Sequence, residues 1–386
     1  MQTINLPKNV KALGLVSFFT DVSSEMIYSL LPVFMTSVLG LSPAYIGVIE
    51  GIAESTASIL KVFSGWISDR FKKRKILILI GYGLSTVVKP FLALSAVGWH
   101  VLAVRFLDRT GKGIRTAPRD AVIADSCLLN ERGKAFGFHR AMDTMGAVVG
   151  PLLAFIILPL FNQDFRMVFL LSFIPALLAL LLIVFFVREK VSGYQPEFNF
   201  KVDKRLFSRD FKIFIFTVFI FTIGNSSNAF LILRARDVGV GVGLIPILWM
   251  TYNLVYSLVS MPAGILSDKI GRKAVILLGF LLYSMVYLGF AFADHVFHIW
   301  LLFCVYGIFY GLTEGTLRAF VADLAPPDLK ATTFGIYHAA VGLAVFPASI
   351  IMGILWQTLG ITAAFSFGGI MALIAAWILA FFVAEK

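Results

Sequence analysis

Seven charged side chains, Arg105, Asp108, Arg109, Lys112, Arg115, Arg119 and Asp120, sit close together in an otherwise apolar stretch. At about 100° per residue they fall on one helical face, within an arc of about 140°. Guanidinium groups capture carboxylate or phosphate oxygens in a bidentate fork, so five cations against two carboxylates can hold an anionic group. A second constellation precedes it. Asp21 and Glu25 stand i,i+4 in KALGLVSFFTDVSSEMIYSLLPVF, with Ser17, Ser24 and Tyr28 on the same side. Carboxyl groups placed between an apolar surrounding, which disfavours charge, and cations, which favour it, can load and release a proton near neutral pH. The alternative is that Asp21 or Glu25 neutralises an arginine of the stripe and simply holds two helices together.

Weaker signals accompany these. Glu50, Glu54 and Lys61 share a face; Glu50 is expected near water, and Glu54 with Lys61 in an ion pair. Lys89 precedes Pro90. His139 and Arg140 read as contacts near a helix end, with Asp143 one turn deeper, where it can balance the arginine stripe. Later in the chain Asn225, Asn228, Tyr252, Tyr256, Tyr310, Glu314 and Arg318 are candidates for a polar, aromatic wall, in which Glu314 and Arg318 pair at i,i+4. Ionic chemistry is thus concentrated in the first half and aromatic contact in the second.

The elements that position these residues are membrane helices. The chain has 386 residues, 59% hydrophobic and 14% charged, with 38 Phe. It reads as twelve apolar stretches, at about 10–38, 44–68, 75–97, 99–125, 137–161, 165–187, 212–236, 243–266, 273–293, 298–323, 332–357 and 361–383. A charge at bilayer depth costs about 2.5–3.5 kcal/mol, so the stripe between Arg105 and Asp120 must face a bundle interior or water. One set of loops carries Lys8, Lys11, Arg70, Lys72, Lys73, Arg74, Lys75, Arg132, Lys134 and a basic run after Arg188; the other has little beyond Arg166 and Arg236. That asymmetry places both termini in the cytoplasm, in a prokaryotic inner or plasma membrane, and accounts for the formal net charge of +11 without a nucleic-acid partner. The start MQTINLPKNVK lacks a cleavable leader pattern, so the first stretch is expected to remain as a helix. Cys127 and Cys304 are expected to be free thiols.

The polar segment at about 188–211 separates six stretches from six, giving an expected N-terminal bundle at 1–188, a cytoplasmic linker at 189–211 and a C-terminal bundle at 212–386. The halves repeat. Gly65-Trp66-Ile67-Ser68-Asp69-Arg70 returns as Gly264-Ile265-Leu266-Ser267-Asp268-Lys269; Asp125 and Asp323 both end an Ala-x-x-Ala-Asp run; Ala135-Phe136-Gly137 parallels Thr333-Phe334-Gly335; and Ser23-Ser24-Glu25 is echoed by Ser226-Ser227-Asn228. Echoes at an offset of about 198–203 residues mark duplicated six-helix halves in the same orientation.

On these residues the chain resembles the major facilitator superfamily of secondary transporters. The family's G-x-x-x-D-[RK]-x-G-[RK]-[RK] loop motif is matched at Gly65, Asp69, Arg70, Lys73 and Arg74, with Lys72 in place of the second glycine. The second copy keeps that glycine, as Gly264, Asp268, Lys269, Gly271, Arg272 and Lys273. Gly146, Gly150 and Pro151 match a G-x-x-x-G-P motif of proton-coupled antiporters, and Arg109 to Gly113 fits an R-x-x-x-G motif less cleanly, since Arg105 also looks like its start. The resemblance implies an all-α integral membrane protein with twelve transmembrane helices in two parallel-repeat six-helix bundles. It also implies a conformational latch of Asp69, Arg70, Lys73, Asp125 and Arg119, repeated at Asp268 and Arg272. A carboxylate at a helix end, set against another helix's positive N-terminus, contributes about 0.3–1 kcal/mol.

The stripe then divides, with Arg105, Arg109 and Lys112 as solute or proton-site residues and Arg115, Arg119 and Asp120 as gate and latch. No phosphate-binding loop, metal motif or nucleophile constellation is present in the sequence, so neither enzyme chemistry nor ATP, metal or another cofactor is expected, and a proton gradient is the expected energy source. The favoured expectation is a monomeric, alternating-access, proton-coupled antiporter exporting an amphipathic or anionic small organic molecule, with Asp21 and Glu25 as coupling residues. A symporter importing a carboxylate-rich chelate or phosphorylated metabolite is the alternative, and a non-transporting receptor or scaffold the third.

Overall fold

The structure, a computed structural model, describes residues 6–71, 73–128, 131–189, 208–326 and 330–384. Helices α1 (Lys8–Tyr28), α2 (Leu31–Ser37), α3 (Pro43–Phe71), α4 (Arg74–Val88), α5 (Pro90–Ala93), α6 (Gly98–Asp125), α7 (Arg132–Leu160), α8 (Phe165–Leu171) and α9 (Phe173–Phe186) come first. After the linker follow α10 (Arg209–Gly224), α11 (Ala229–Asp237), α12 (Ile245–Ile270), α13 (Arg272–Phe292), α14 (Val296–Leu324), α15 (Lys330–Leu359) and α16 (Ile361–Phe382). No strand occurs among the described residues.

Each of the twelve expected stretches falls on one helix or on two in immediate succession. Among the described residues nine helical stretches are long and apolar enough to cross a membrane. The other three, 8–37, 43–71 and 98–125, are the ones whose apolar runs are interrupted by Asp21 and Glu25, by Glu50, Glu54 and Lys61, and by the arginine stripe. Four stretches are broken where unbroken spans were expected. The first stops at Tyr28 and resumes at Leu31; the third is interrupted at Lys89, where Pro90 offers no N–H. The sixth changes helix at Ser172, and the seventh opens between Gly224 and Ala229. Pro118, in contrast, lies inside α6 without ending it.

Two compact units emerge: residues 1–34 with 56–197, and residues 35–55 with 198–386. By its contacts the first part of the continuous helix α3 groups with the second unit. The contacts explain why: Ser55 donates to the Gly342 carbonyl at 2.9 Å, and a Cβ on Gly51 would meet the Phe346 carbonyl at 2.9 Å. Glu50, expected near water, is only 1% exposed there and accepts a 3.3 Å hydrogen bond from Ser227.

The repeat is visible in the details. Arg74 pairs with Asp125 in the first unit, and 198 residues later Arg272 pairs with Asp323 at 2.7 Å in the second. The break after Tyr28 is matched by the break after Gly224. Gly271, the loop-motif glycine between α12 and α13, has φ 93°, a backbone region that glycine enters without a Cβ penalty. Its counterpart Lys72 lies outside the described residues.

Candidate functional site

The first unit holds a charged pocket built by α1, the α4–α5 junction and α6. The α1 side chains Asp21, Ser24, Glu25 and Tyr28 face Arg105, Asp108, Arg109, Lys112 and Arg115 of α6, with Lys89 closing one side. Five cations thus meet three carboxylates. The cavity measures about 60 Å³, about the share of two liquid waters. Drug-sized ligands occupy pockets of roughly 300–1,000 Å³, so this volume suits the polar head of a solute.

Close helix packing brings the charges together. On α7, a Cβ at Gly146 would lie 2.5 Å from the Phe18 carbonyl oxygen and 2.9 Å from Asp21 Cβ; at Gly150 it would lie 2.6 Å from the Val22 carbonyl and 2.9 Å from Glu25 Cβ. The two glycines of the motif completed by Pro151 therefore let α7 press against α1 at the two acidic positions. On the other side, Gly81 and Gly111 seat α4 against α6, where a Cβ on either would come within 2.6 Å of the other's carbonyl. Ser64 of α3 donates to the Gly113 carbonyl at 2.8 Å.

Three of the cations have defined partners. Lys89, 3% exposed, donates to Ser23 Oγ at 2.7 Å and Ser24 Oγ at 3.1 Å. Arg115 donates to Ser85 Oγ at 2.5 Å and lies over the Tyr82 ring, 4.3 Å from its centroid. Arg105 approaches the Tyr28 ring at 5.7 Å. Arg105 and Arg109 are buried, at 5% and 9% exposure. Such charges are retained in a low-dielectric interior only with partners or a function.

The expected division of the stripe needs one change: Arg115 lines the pocket, and only Arg119 and Asp120, paired with each other at 2.9 Å, lie beyond it. Lys89 and Asp108, noted in the sequence but given no role there, also line it. A signal existed for Lys89, a cation next to a helix-interrupting proline, but nothing in the periodicity of α4 shows which neighbour it faces. Asp143 joins the same system from α7, accepting from Ser17 and pairing with Arg140 at 3.7 Å.

The second unit groups its candidates differently. Tyr252, Tyr306 and Tyr310 pack with ring centroids 5.1–5.6 Å apart, and Tyr256 lies 6.0 Å from Tyr310. Tyr306 donates to Asn228 Oδ1 at 2.7 Å, and the Tyr310 hydroxyl lies among Tyr306, Asn225 and Asn228. Glu314 accepts from Tyr256 and from Arg318, the latter at 2.6 Å, so the i,i+4 pair forms.

Of the latch residues, Asp125 pairs with Arg74, while Lys73 is exposed at the N-cap of α4. Arg272 reaches Asp268 at 2.9 Å as well as Asp323. The side chains of Asp69 and Arg70 lie outside the described residues. Cys127 and Cys304 form no disulfide, as expected.

The family model of the Major Facilitator Superfamily matches residues 13–232 and 213–386. The chain belongs to this superfamily. An uncharacterized MFS-type transporter of Methanocaldococcus jannaschii is 40% identical over 97% of this chain and 95% of its own length. Multidrug resistance protein MdtG of Yersinia enterocolitica is 26% identical over 84% of this chain and 79% of its own. Among solved structures, a POT family transporter in complex with 5-aminolevulinic acid superposes with a TM-score of 0.82 at 15% identity, covering 99% of this chain and 97% of that one. The nucleoside transporter NupG gives 0.78 at 15% identity, covering 98% and 100%. These likenesses establish the fold: an all-α, multi-pass integral membrane protein of the major facilitator type, working in transport and not in catalysis.

Proposed function

We propose that this transporter binds the anionic head of a small organic solute together with a proton, in the pocket of its first unit, and carries both in the same direction. The supporting observation is that Asp21 and Glu25 line the same small cavity as Arg105, Arg109 and Lys112. When ionised, the two acids compete with an anionic solute for these cations; when protonated, they release them. Proton and solute then favour each other's binding, and the coupling is reciprocal. An inward proton gradient converts this linkage into uptake, with no cofactor. Lys and Arg on the loops at the Arg74–Asp125 end orient that end, and both termini, towards the cytoplasm. The proposed working unit is a monomer, since the pocket is lined by residues of one chain.

Antiport is the second reading. It is favoured by the seating of Gly146 and Gly150 against the acidic positions of α1 and by relatives named for multidrug resistance. It requires a cationic or neutral solute that competes with the proton for Asp21 or Glu25.

Proteoliposomes with an imposed pH gradient separate the two, using citrate and glycerol phosphate as anionic probes and tetraphenylphosphonium as the cationic one. Anion accumulation along the proton flow is the expected result; movement of the cation against it establishes antiport instead. Arg105→Ala and Arg109→Ala should each weaken anion binding about tenfold or more, since a charge-assisted hydrogen bond contributes about 1.5–3 kcal/mol. Unchanged affinity in both variants would make the α6 stripe structural.

A further inference from the structure

The acidic pair on α1 has a third member on α7. Ser17, Asp21 and Glu25 recur at i,i+4 along α1, and the structure sets them level with Asp143, Gly146 and Gly150 of α7. Ser17 donates to Asp143 Oδ1, Asp21 Cβ abuts the Gly146 position, and Glu25 Cβ abuts the Gly150 position. In this register Asp21 stands one turn beyond the Ser17–Asp143 hydrogen bond on the same face of α1, which makes the Asp21 and Asp143 carboxyl groups neighbours. Two carboxylates in contact cannot both ionise cheaply, so such a pair holds one proton and titrates as a unit. One turn from Asp143 towards the basic end of α7 stands His139, 5% exposed, whose Nε2 is buried with no hydrogen-bond partner among the described residues. The i,i+4 spacing puts the imidazole and the Asp143 carboxylate on one helical face. Charged groups surround all three: Lys89 from the α4–α5 junction, Lys112, Arg119 and Asp120 from α6, Glu25 from α1 and Arg140 from α7.

We infer that Asp21 and Asp143 share a single proton and that His139 is the station through which this proton exchanges with the basic end of the unit. The proton leaves an Asp21 carboxyl oxygen for an Asp143 oxygen; the Nε2 lone pair of His139 accepts it next, and water at the helix end takes it from the imidazolium. Asp21 is the only one of the three that lines the pocket, so Asp143 and His139 connect the pocket to the end of α7 without occupying the solute's place. The inference rests on the proton-coupled reading but is tested without any solute.

The test is an infrared pH titration of the purified full chain in liposomes, following the carbonyl stretch of a protonated carboxyl group. The expected result is one pH-sensitive band that disappears in Asp21→Asn, persists in Glu25→Gln, and in Asp143→Asn shifts its midpoint by about one pH unit or more. Asp143→Glu, which keeps a carboxyl at the same place, should retain the coupled titration. After a pH jump, His139→Gln should slow the band's response about tenfold or more while leaving the midpoint in place. An Asp143→Asn titration superimposable on wild type overturns the shared proton, and an unchanged rate in His139→Gln overturns the route. If the band behaves as expected while no probe follows the pH gradient in proteoliposomes, the transport reading fails and the shared proton stands; the converse result removes the shared proton alone.

Discussion

Exchange of Gly150 for valine is expected to part α1 from α7, lower the thermal stability of the purified protein and abolish transport. A Cβ at this position already falls 2.6 Å from the Val22 carbonyl oxygen, and the atom it meets is backbone, which cannot swing aside as a side chain would. Overpacking of a filled interface costs about 1–3 kcal/mol, and here the helix axis itself must shift. The same displacement would move Glu25, whose Cβ lies 2.9 Å from the Gly150 position, and so disturb the pocket together with the fold. Gly146→Ala should show a smaller version of the effect, centred on Asp21. Gly137 is the control: it lies on the same helix, and an added Cβ there meets nothing within 4 Å. Gly137→Ala should melt at or slightly above the wild-type temperature, since glycine in a helix interior costs about 0.5–1 kcal/mol relative to alanine. Equal behaviour of the Gly150 and Gly137 variants would show that α7 does not depend on close approach to α1.

The second large effect belongs to Lys89. Removing its ammonium, as in Lys89→Met, leaves Asp108 facing Arg105, Arg109 and Arg115 without its lysine partner, and strips Ser23 and Ser24 of their donor. Losing a charged hydrogen bond costs about 1.5–3 kcal/mol, while four cations against three carboxylates remain in the pocket. The expected outcome is a marked loss of thermal stability in detergent, partly recovered in the double variant Lys89→Met with Asp108→Asn. Recovery is the informative measurement: two independent sites would add their losses, whereas an ionic pair shows a coupling of opposite sign. A Lys89→Met protein that melts like wild type would place the lysine outside the ionic network.

Much of this architecture is legible in the sequence because membrane helices announce themselves by length and apolarity. The three helices that carry charge are legible for a second reason: Asp21 with Glu25, and the stripe from Arg105 to Arg115, keep a helical period, so each set can be assigned to one face before any neighbour is known. Helix breaks carry no such signal. The runs through Tyr28 and Ser172 stay largely apolar while the backbone hydrogen bonds change partners; Lys89 with Pro90 and the polar run Asn225-Ser226-Ser227-Asn228 after Gly224 are the exceptions that give warning. Pairings across helices are equally silent. That Lys89 meets Ser23, that Asp143 meets Ser17, and that Arg74 reaches Asp125 depends on the rotation of one helix against another, which spacing within a single helix does not determine.

The ladder formed by α1 and α7 has an electrical consequence. From the level of Ser17 and Asp143 to that of Glu25 and Gly150 is eight residues of α1, a rise of about 12 Å. Set against a hydrocarbon layer of about 30 Å, this is roughly two fifths of the insulating thickness of the membrane. An elementary charge crossing the full layer exchanges about 2.3 kcal/mol per 100 mV with the membrane potential, so a charge travelling the ladder exchanges about 0.9 kcal/mol. On the proton-coupled reading proposed above, a proton moving along part of this ladder feels the corresponding share of that energy, and the occupancy of the ionised states should then follow the membrane potential even where the pH on the two sides is equal.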